Sequence, residues 1–585
     1  MKKTALIIAL IFLAVGLWVF LTLRHLGPNN ASRLVPSDTL AIVEFPDLAS
    51  TIHRWDASAL GKMGTEAEIK AFLERPLEFF HKWSASSTEA SPSDSVEALI
   101  VKLKVGRTFA ALVPRPEVKD QDLGWVVGCQ FFGGKDQAEA VLLRLHQFLD
   151  THAGTGDKIT LDIKENQGDI ITRSSHGALV LYSVIHGNWC FIGSQVEPIK
   201  KSLDFLAARR AEKESLAANE RYQKNRTQLP KDSDALFYTI PGDMMTMVMG
   251  AHPIMGNSFT TAESLGFALR FVNEEMQETL FLQGNFPSTN SLSHEGLGFS
   301  HLASVGYIEW INDWQKMVGH LEENKTLPAS ALQFLGSSGM DLASLTGNLK
   351  PEGSAIFDWP TEQPFPTALL SVPLMDAAKA NTWLDQAALH LNATIKPSQE
   401  QGVRLLPLQQ MGPMLQPTLA MTPSAFLVGT DSKVVEQATT ANNKTSDAGK
   451  TLKDSPDFAK VLPLYREANE VFAYFSTREL FERLYGKARP GLIMSASMAP
   501  GMSTFVDLSK LPKSETISKY LTPIVYTQSH NKEGLLIHSQ GPVSATPLLL
   551  LGSTIYSITK QSLTMPGAPG ASPASGGTDD SGDEE

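Results

Sequence analysis

The 585-residue chain sets 50 Lys and Arg against 62 Asp and Glu, a formal net charge of −12 at pH 7. That balance argues against nucleic-acid binding, which needs a basic footprint, and gives no electrostatic attraction to an anionic membrane surface. At 42% hydrophobic and 19% charged residues the composition is that of ordinary globular protein, enough for two to four domains of roughly 100–200 residues.

The first element is an apolar run, ALIIALIFLAVGLWVFLTL, from Ala5 to Leu23, preceded by Lys2 and Lys3 and closed by Arg24 and His25. As a helix it would rise about 28 Å, the thickness of a bilayer core. It is longer than the apolar centre of a cleavable signal peptide, and the following LRHLGPNNASR offers no good small-x-small site. The expectation is an uncleaved anchor over residues 1–25, with a cleaved signal as the alternative. The two lysines and the short leading tail place the N-terminus inside. The body is then periplasmic or extracytoplasmic, held on the inner (cytoplasmic) membrane by one pass, with the lipid bilayer as partner of residues 5–23.

Next comes a body whose motifs occur twice in the same order. SDTLAIVEFPDLASTIHRW from Ser37 and ASVGYIEWINDWQKMVGHL from Ala303 each read as a strand then a helix, aligning Glu44 with Glu309 and Phe45 with Trp310. After the polar stretch Ser84–Ser95, GWVVGCQFFGGKDQAEAVLLRLHQFL from Gly124 matches TALLSVPLMDAAKANTWLDQAALHL from Thr367. Asp136 and Asp376 are the expected N-caps there, with Glu139 completing a capping box on Asp136. CFIGSQVEPIKKSLDFL from Cys190 then pairs with AFLVGTDSKVVEQAT from Ala425, and DALFYTIP with EVFAYFST. Gly193 to Tyr238 and Gly429 to Tyr474 are both intervals of 45 residues. Each series ends in a hairpin pattern, turning at Asn273–Glu275 and at Asn531–Gly534.

The reading is an α+β protein: two tandem related domains, residues 35–290 and 300–545, with mainly antiparallel sheets flanked by helices, after an N-terminal transmembrane helix. Pro407–Pro423 reads as a long loop packed on the body. Residues 546–562 form a short apolar C-terminal segment, too short to span, and residues 563–585 a low-complexity acidic tail expected to be disordered. The two cysteines, Cys129 and Cys190, lie in strand-like runs; they are either two buried thiols or, in an oxidising compartment, a disulfide.

VPSDTLAIVEFPD, SSGMDLASLTGNLKPEGSAIFDW and the strand-turns CFIGS and FLVGT resemble the bacterial domain-of-unknown-function family 3352. The resemblance spans much of residues 35–545. It implies a membrane-anchored envelope protein with a long α+β body, and carries no activity or site residues.

Chemistry-bearing motifs are incomplete. His294 and His301 are the nearest approach to a histidine cluster and lack a metal-binding frame. Gly336–Gly339 fails G-x-S-x-G because Met340 stands at its last position, and Ser557-x-x-Lys560 has no K-T-G after it. Gly133-Gly134-Lys135-Asp136 is a tight turn before a helix rather than a phosphate loop. No catalytic, cofactor-binding or metal residue is assigned, and no cofactor is expected. The function expected is a non-catalytic envelope protein binding a protein partner or ligand. The alternatives are an envelope hydrolase with dispersed residues and a periplasmic carrier or chaperone for apolar ligands.

Overall fold

The computed structural model describes residues 30–544 apart from 86–101, 115–122, 153–158, 166–168, 177–178, 208–212, 243–261, 287–290, 324–341, 361–362, 399, 401, 411–414, 443–449 and 499–506. The expected anchor over residues 5–23, the segments 546–562 and 563–585, and the Gly336–Gly339 and Ser557–Lys560 motifs lie outside the described residues. No helix among the described residues is long and apolar enough to cross a membrane.

The first ten strands are β1 (Ala41–Phe45), β2 (Val105–Pro114), β3 (Leu123–Phe131), β4 (Ile159–Glu165), β5 (Asp169–His176), β6 (Leu179–His186), β7 (Trp189–Gly193), β8 (Ala235–Thr239), β9 (Ser264–Val272) and β10 (Glu275–Gln283). The next ten are β11 (Gly306–Ile311), β12 (Glu352–Asp358), β13 (Thr367–Pro373), β14 (Lys396–Pro397), β15 (Arg404–Pro407), β16 (Thr418–Met421), β17 (Ala425–Gly429), β18 (Val471–Phe475), β19 (Ile524–Asn531) and β20 (Gly534–Gly541).

All pair antiparallel in one continuous sheet. Outward from β10 the order is β10-β9-β8-β1-β2-β3-β7-β6-β5-β4. Outward from β20 it is β20-β19-β18-β11-β12-β13-β17-β16-β15-β14. The second series repeats the first with every strand number raised by ten. β10 and β20 pair with each other at the seam, from Met276 opposite Gly541 to Gln283 opposite Gly534. The expected antiparallel α+β architecture is present, and the edge hairpins of the two halves zip together into one sheet.

The strands alternate as period-two patterning requires. In β3 inward and half-exposed residues take turns along LGWVVGCQF. Helices cover both faces. In the first half Phe109, Val126 and Phe191 pack beneath Ile199 and Leu203 of helix Val196–Ala207. On the reverse face Val105, Phe131 and Cys190 pack against Ala138 of helix Lys135–His152. In the second half Tyr307, Leu369 and Leu427 lie beneath Val435 of helix Ser432–Asn442 and Phe458 of helix Pro456–Glu467. Behind them Val372, Met421 and Phe426 pack on Trp383 and Leu384 of helix Ala377–His390.

Local chemistry sets the ends of these elements. Asp376 caps its helix, accepting from the backbone of Ala378 and Lys379. Asp136 does not cap: the helix begins at Lys135, and the Gly134 carbonyl accepts from Gln137 and Ala138. Glu139 instead reaches Lys135 at 3.7 Å, one helical turn away. The β9–β10 turn places Asn273 and Glu274 at φ 49° and 71°, the twist a two-residue hairpin needs. Pro407–Pro423 is not wholly loop, because Thr418–Met421 forms β16 between β15 and β17.

Candidate functional site

The matched glutamates of the two halves are both buried, Glu44 at 4% exposure and Glu309 at none. Each is the fourth residue of its strand, on the side facing the covering helices. Glu44 is compensated by the Ala31 N–H at 3.1 Å and by Arg107 Nε at 3.2 Å. Burial still holds its pKa above the usual carboxylate range, against these two partners.

In the second half the compensation is different. Glu44 faces Phe109 and Glu309 faces Ser354, so Arg107, two residues before Phe109, corresponds in register to Glu352. A cation has given way to a second acid. Glu309 Oε2 lies 2.9 Å from His294 Nδ1, while Glu309 Oε1 is buried without a hydrogen-bond partner among the described residues. Glu352 accepts from the backbone of Ser293 and Glu295 at 2.5 and 3.4 Å. The Tyr465 ring lies 4.3 Å from that of His294, and its hydroxyl donates to the His294 carbonyl at 3.4 Å. Burial pushes Glu309 up to about 7; the His294 contact opposes this and Glu352 adds to it. The cluster can therefore hold or release one proton near neutrality.

A cleft of about 700 Å³ opens on the same half, between the loop before β11, the β12–β13 connection, the start of helix Ser432–Asn442 and Arg483 of helix Thr477–Met498. That volume suits a small molecule. Asp358, the last residue of β12, and Thr367, the first of β13, line it, with Trp359, His301 and Lys433. Asp431 is spent locally, accepting from Val434 N at 3.0 Å. Trp359 is fixed by its indole N–H to Gln363 O at 3.2 Å and by Lys487 Nζ 5.0 Å above its ring.

Two atoms in this cleft are shielded and lack a hydrogen-bond partner among the described residues: Asp358 Oδ1 and Arg483 Nη1. Burial raises the Asp358 pKa, opposed by the Ser304 hydroxyl and by His301. Arg483 reaches Glu479 through its other nitrogen, at 3.6 Å. The cleft lining thus carries an acid and a guanidinium, Asp358 and Arg483, beside Trp359 and Lys433.

The histidines paired in the sequence reading are thus separated: His294 sits on Glu309, and His301 lines the cleft, its Nδ1 accepting from Ala303 N at 3.2 Å. Glu44 and Glu309 were visible as aligned acids; Asp358, Arg483, Glu352 and Tyr465 were not singled out. Asp358 had one signal, an acid closing the apolar strand GSAIFDWP. Among the described residues no group of three or more His, Cys, Asp or Glu is placed to hold a metal ion.

No family model matches the chain, and no curated protein matches it. Among the solved structures that match, crystal form I of TP0453 is similar at 14% identity over 45% of this chain and 81% of that one, with a TM-score of 0.23. That likeness is too slight to bear on fold or function.

Proposed function

We propose that this chain is a non-catalytic, membrane-anchored envelope protein whose duplicated α+β body binds a small ligand bearing a hydrogen-bond donor and an anionic group. The observation that carries the reading is the placement of a carboxyl and a guanidinium, Asp358 and Arg483, on the lining of one cleft of small-molecule size. Duplication is supported by the repeated strand order and by the 45-residue intervals. Anchoring on the inner membrane, N-terminus inside, rests on the apolar run of residues 5–23 and on the resemblance to family 3352.

The test uses full-length protein in detergent and a thermal-shift panel of amino acids, small dicarboxylates and inorganic phosphate. Stabilisation by at least one zwitterion or anion, abolished in Asp358→Asn and Arg483→Met, is the expected result. A panel without effect, or shifts that survive both substitutions, would sink the cleft as the site. N-terminal sequencing of the membrane fraction tests the anchor; a mature chain starting near residue 32 would replace it with a cleaved signal.

A second reading, an envelope hydrolase, requires the buried Glu309, whose pKa burial raises to about 7, to reach a substrate as general acid or base. Turnover lost in Glu309→Gln with folding intact would select it.

A further inference from the structure

The chain has two cysteines, 61 positions apart, and the fold sets them face to face. Cys129 of β3 is directly opposite Cys190 of β7. Directly opposed residues of an antiparallel pair project to the same side. Both are free thiols in this structure and belong to the cluster beneath helix Lys135–His152, Cys190 buried and Cys129 partly so.

The type of pair follows from its neighbours. Phe131 N donates to Asn188 O at 2.9 Å, and Ser194 N to Trp125 O at 3.1 Å. Both bonds lie an even number of residues along the ladder from Cys129 and Cys190, so the cysteines occupy a hydrogen-bonded position. Its Cα atoms are about 5.5 Å apart, within the roughly 4.4–6.8 Å that a disulfide spans. Bridging needs the Cβ atoms to close from about 5 Å to about 4 Å, a small movement for two strands.

We propose that Cys129 and Cys190 form a cross-strand disulfide that clasps the β7-β6-β5-β4 arm to β3 and the rest of the sheet. The oxidant is an exchangeable disulfide, of a protein or of a small molecule, as oxidising compartments supply. One cysteine thiolate attacks it, forming a mixed disulfide and expelling one thiolate. The second cysteine thiolate then attacks the first cysteine's sulfur and expels the other. Two protons leave the protein, one S–S bond forms, and the two electrons reduce the oxidant to two thiols.

Burial pushes the Cys190 thiol up to about 12 and raises that of Cys129. Thiolate is then scarce in the folded, reduced protein, and closure belongs to folding, before the helix covers the pair.

The experiment takes the full chain in detergent through two routes, oxidised glutathione added to the folded protein and the same reagent present during refolding. Each sample is then denatured in alkylating reagent without reductant and mapped by mass spectrometry. The expected result from the refolding route is a mass 2 Da lower, no alkylated cysteine and one cross-linked peptide pair. The denaturant midpoint should rise and return to the reduced value on adding reductant, and the rise should be missing from Cys129→Ser and Cys190→Ser. Two alkylated cysteines after both routes, or a glutathione adduct that persists on either cysteine, would overturn the clasp.

Discussion

At the scale of single residues, Glu309 makes stability depend on pH in a definite direction. Its folded pKa near 7 exceeds that of an unfolded glutamate, so between about 4.5 and 7 the folded state binds the extra proton. Stability is fullest below that window, falls as pH rises through it by on the order of 3 kcal/mol, and is level above it. Glu309→Gln should flatten this slope, read as denaturant midpoints at pH 5 and pH 8; an unchanged difference between the two would show that the proton resides elsewhere. Gly266 illustrates a steric constraint instead. A Cβ there would lie 1.7 Å from Asn225 Oδ1, and Asn225 is buried, donating to Ser264 Oγ at 3.0 Å. Ser264 Oγ in turn donates to Gln283 at 2.9 Å, so the amide cannot simply turn away. Gly266→Ala should cost roughly 1–3 kcal/mol in urea unfolding, the range for overpacking. That Glu44 and Glu309 are equivalent was legible from their place in matched strands. That one meets Arg107 and the other Glu352 was not, because the difference lies on a neighbouring strand whose register no local pattern reveals.

At the scale of elements, strands and helices were legible where periodicity and punctuation agree. WVVGCQFF alternates at period two, and Asp376 caps an apolar stripe at helical spacing. Lys135 was misplaced outside its helix because Gly134, whose backbone carbonyl makes the first turn, carries no side-chain signal. The seam was invisible for a different reason. Both hairpins announce themselves by their turns, but Thr279 meets His538 across 259 residues, and nothing local records such a pairing. Phe281, fully buried on β10, packs with Leu229 and Leu236 of its own half and, across the seam, with Leu536 of β20. Phe281→Ala should lose roughly 3–5 kcal/mol by chemical denaturation; a loss under 1 kcal/mol would show that the seam pocket collapses without penalty. A second strap joins the halves. Glu66, Glu68 and Glu74, along and just before helix Ala67–Ala85, meet Tyr520 and Lys519, Thr516, and Lys510. Hydrogen bonds hold all three acids below the usual carboxylate range: from Lys519 and Tyr520 to Glu66, from the Lys513 backbone N–H and then Thr516 to Glu68, and from Lys510 to Glu74. Their contribution is present above pH 4.5 and lost as pH falls through the lowered values, and being exposed it should weaken with added salt.

At the scale of the whole molecule, one sheet runs through both halves, with Leu282 and Leu535 packed across the seam. Unfolding should therefore be a single calorimetric transition. Charge placed in the seam, as in Leu282→Asp, should separate it into two, one for each half; two transitions in the unaltered protein would show that the seam couples the halves only weakly. The two outermost strands differ in kind. β14 is two exposed residues, Lys396 and Pro397, and proline offers no backbone donor to a newcomer. β4, seven residues long, pairs with β5 alone among the described strands. A ribbon open at both ends could add copies without limit, as a fibre does. This one is blunted at β14, where Pro397 withholds its donor from any strand that would extend the sheet there.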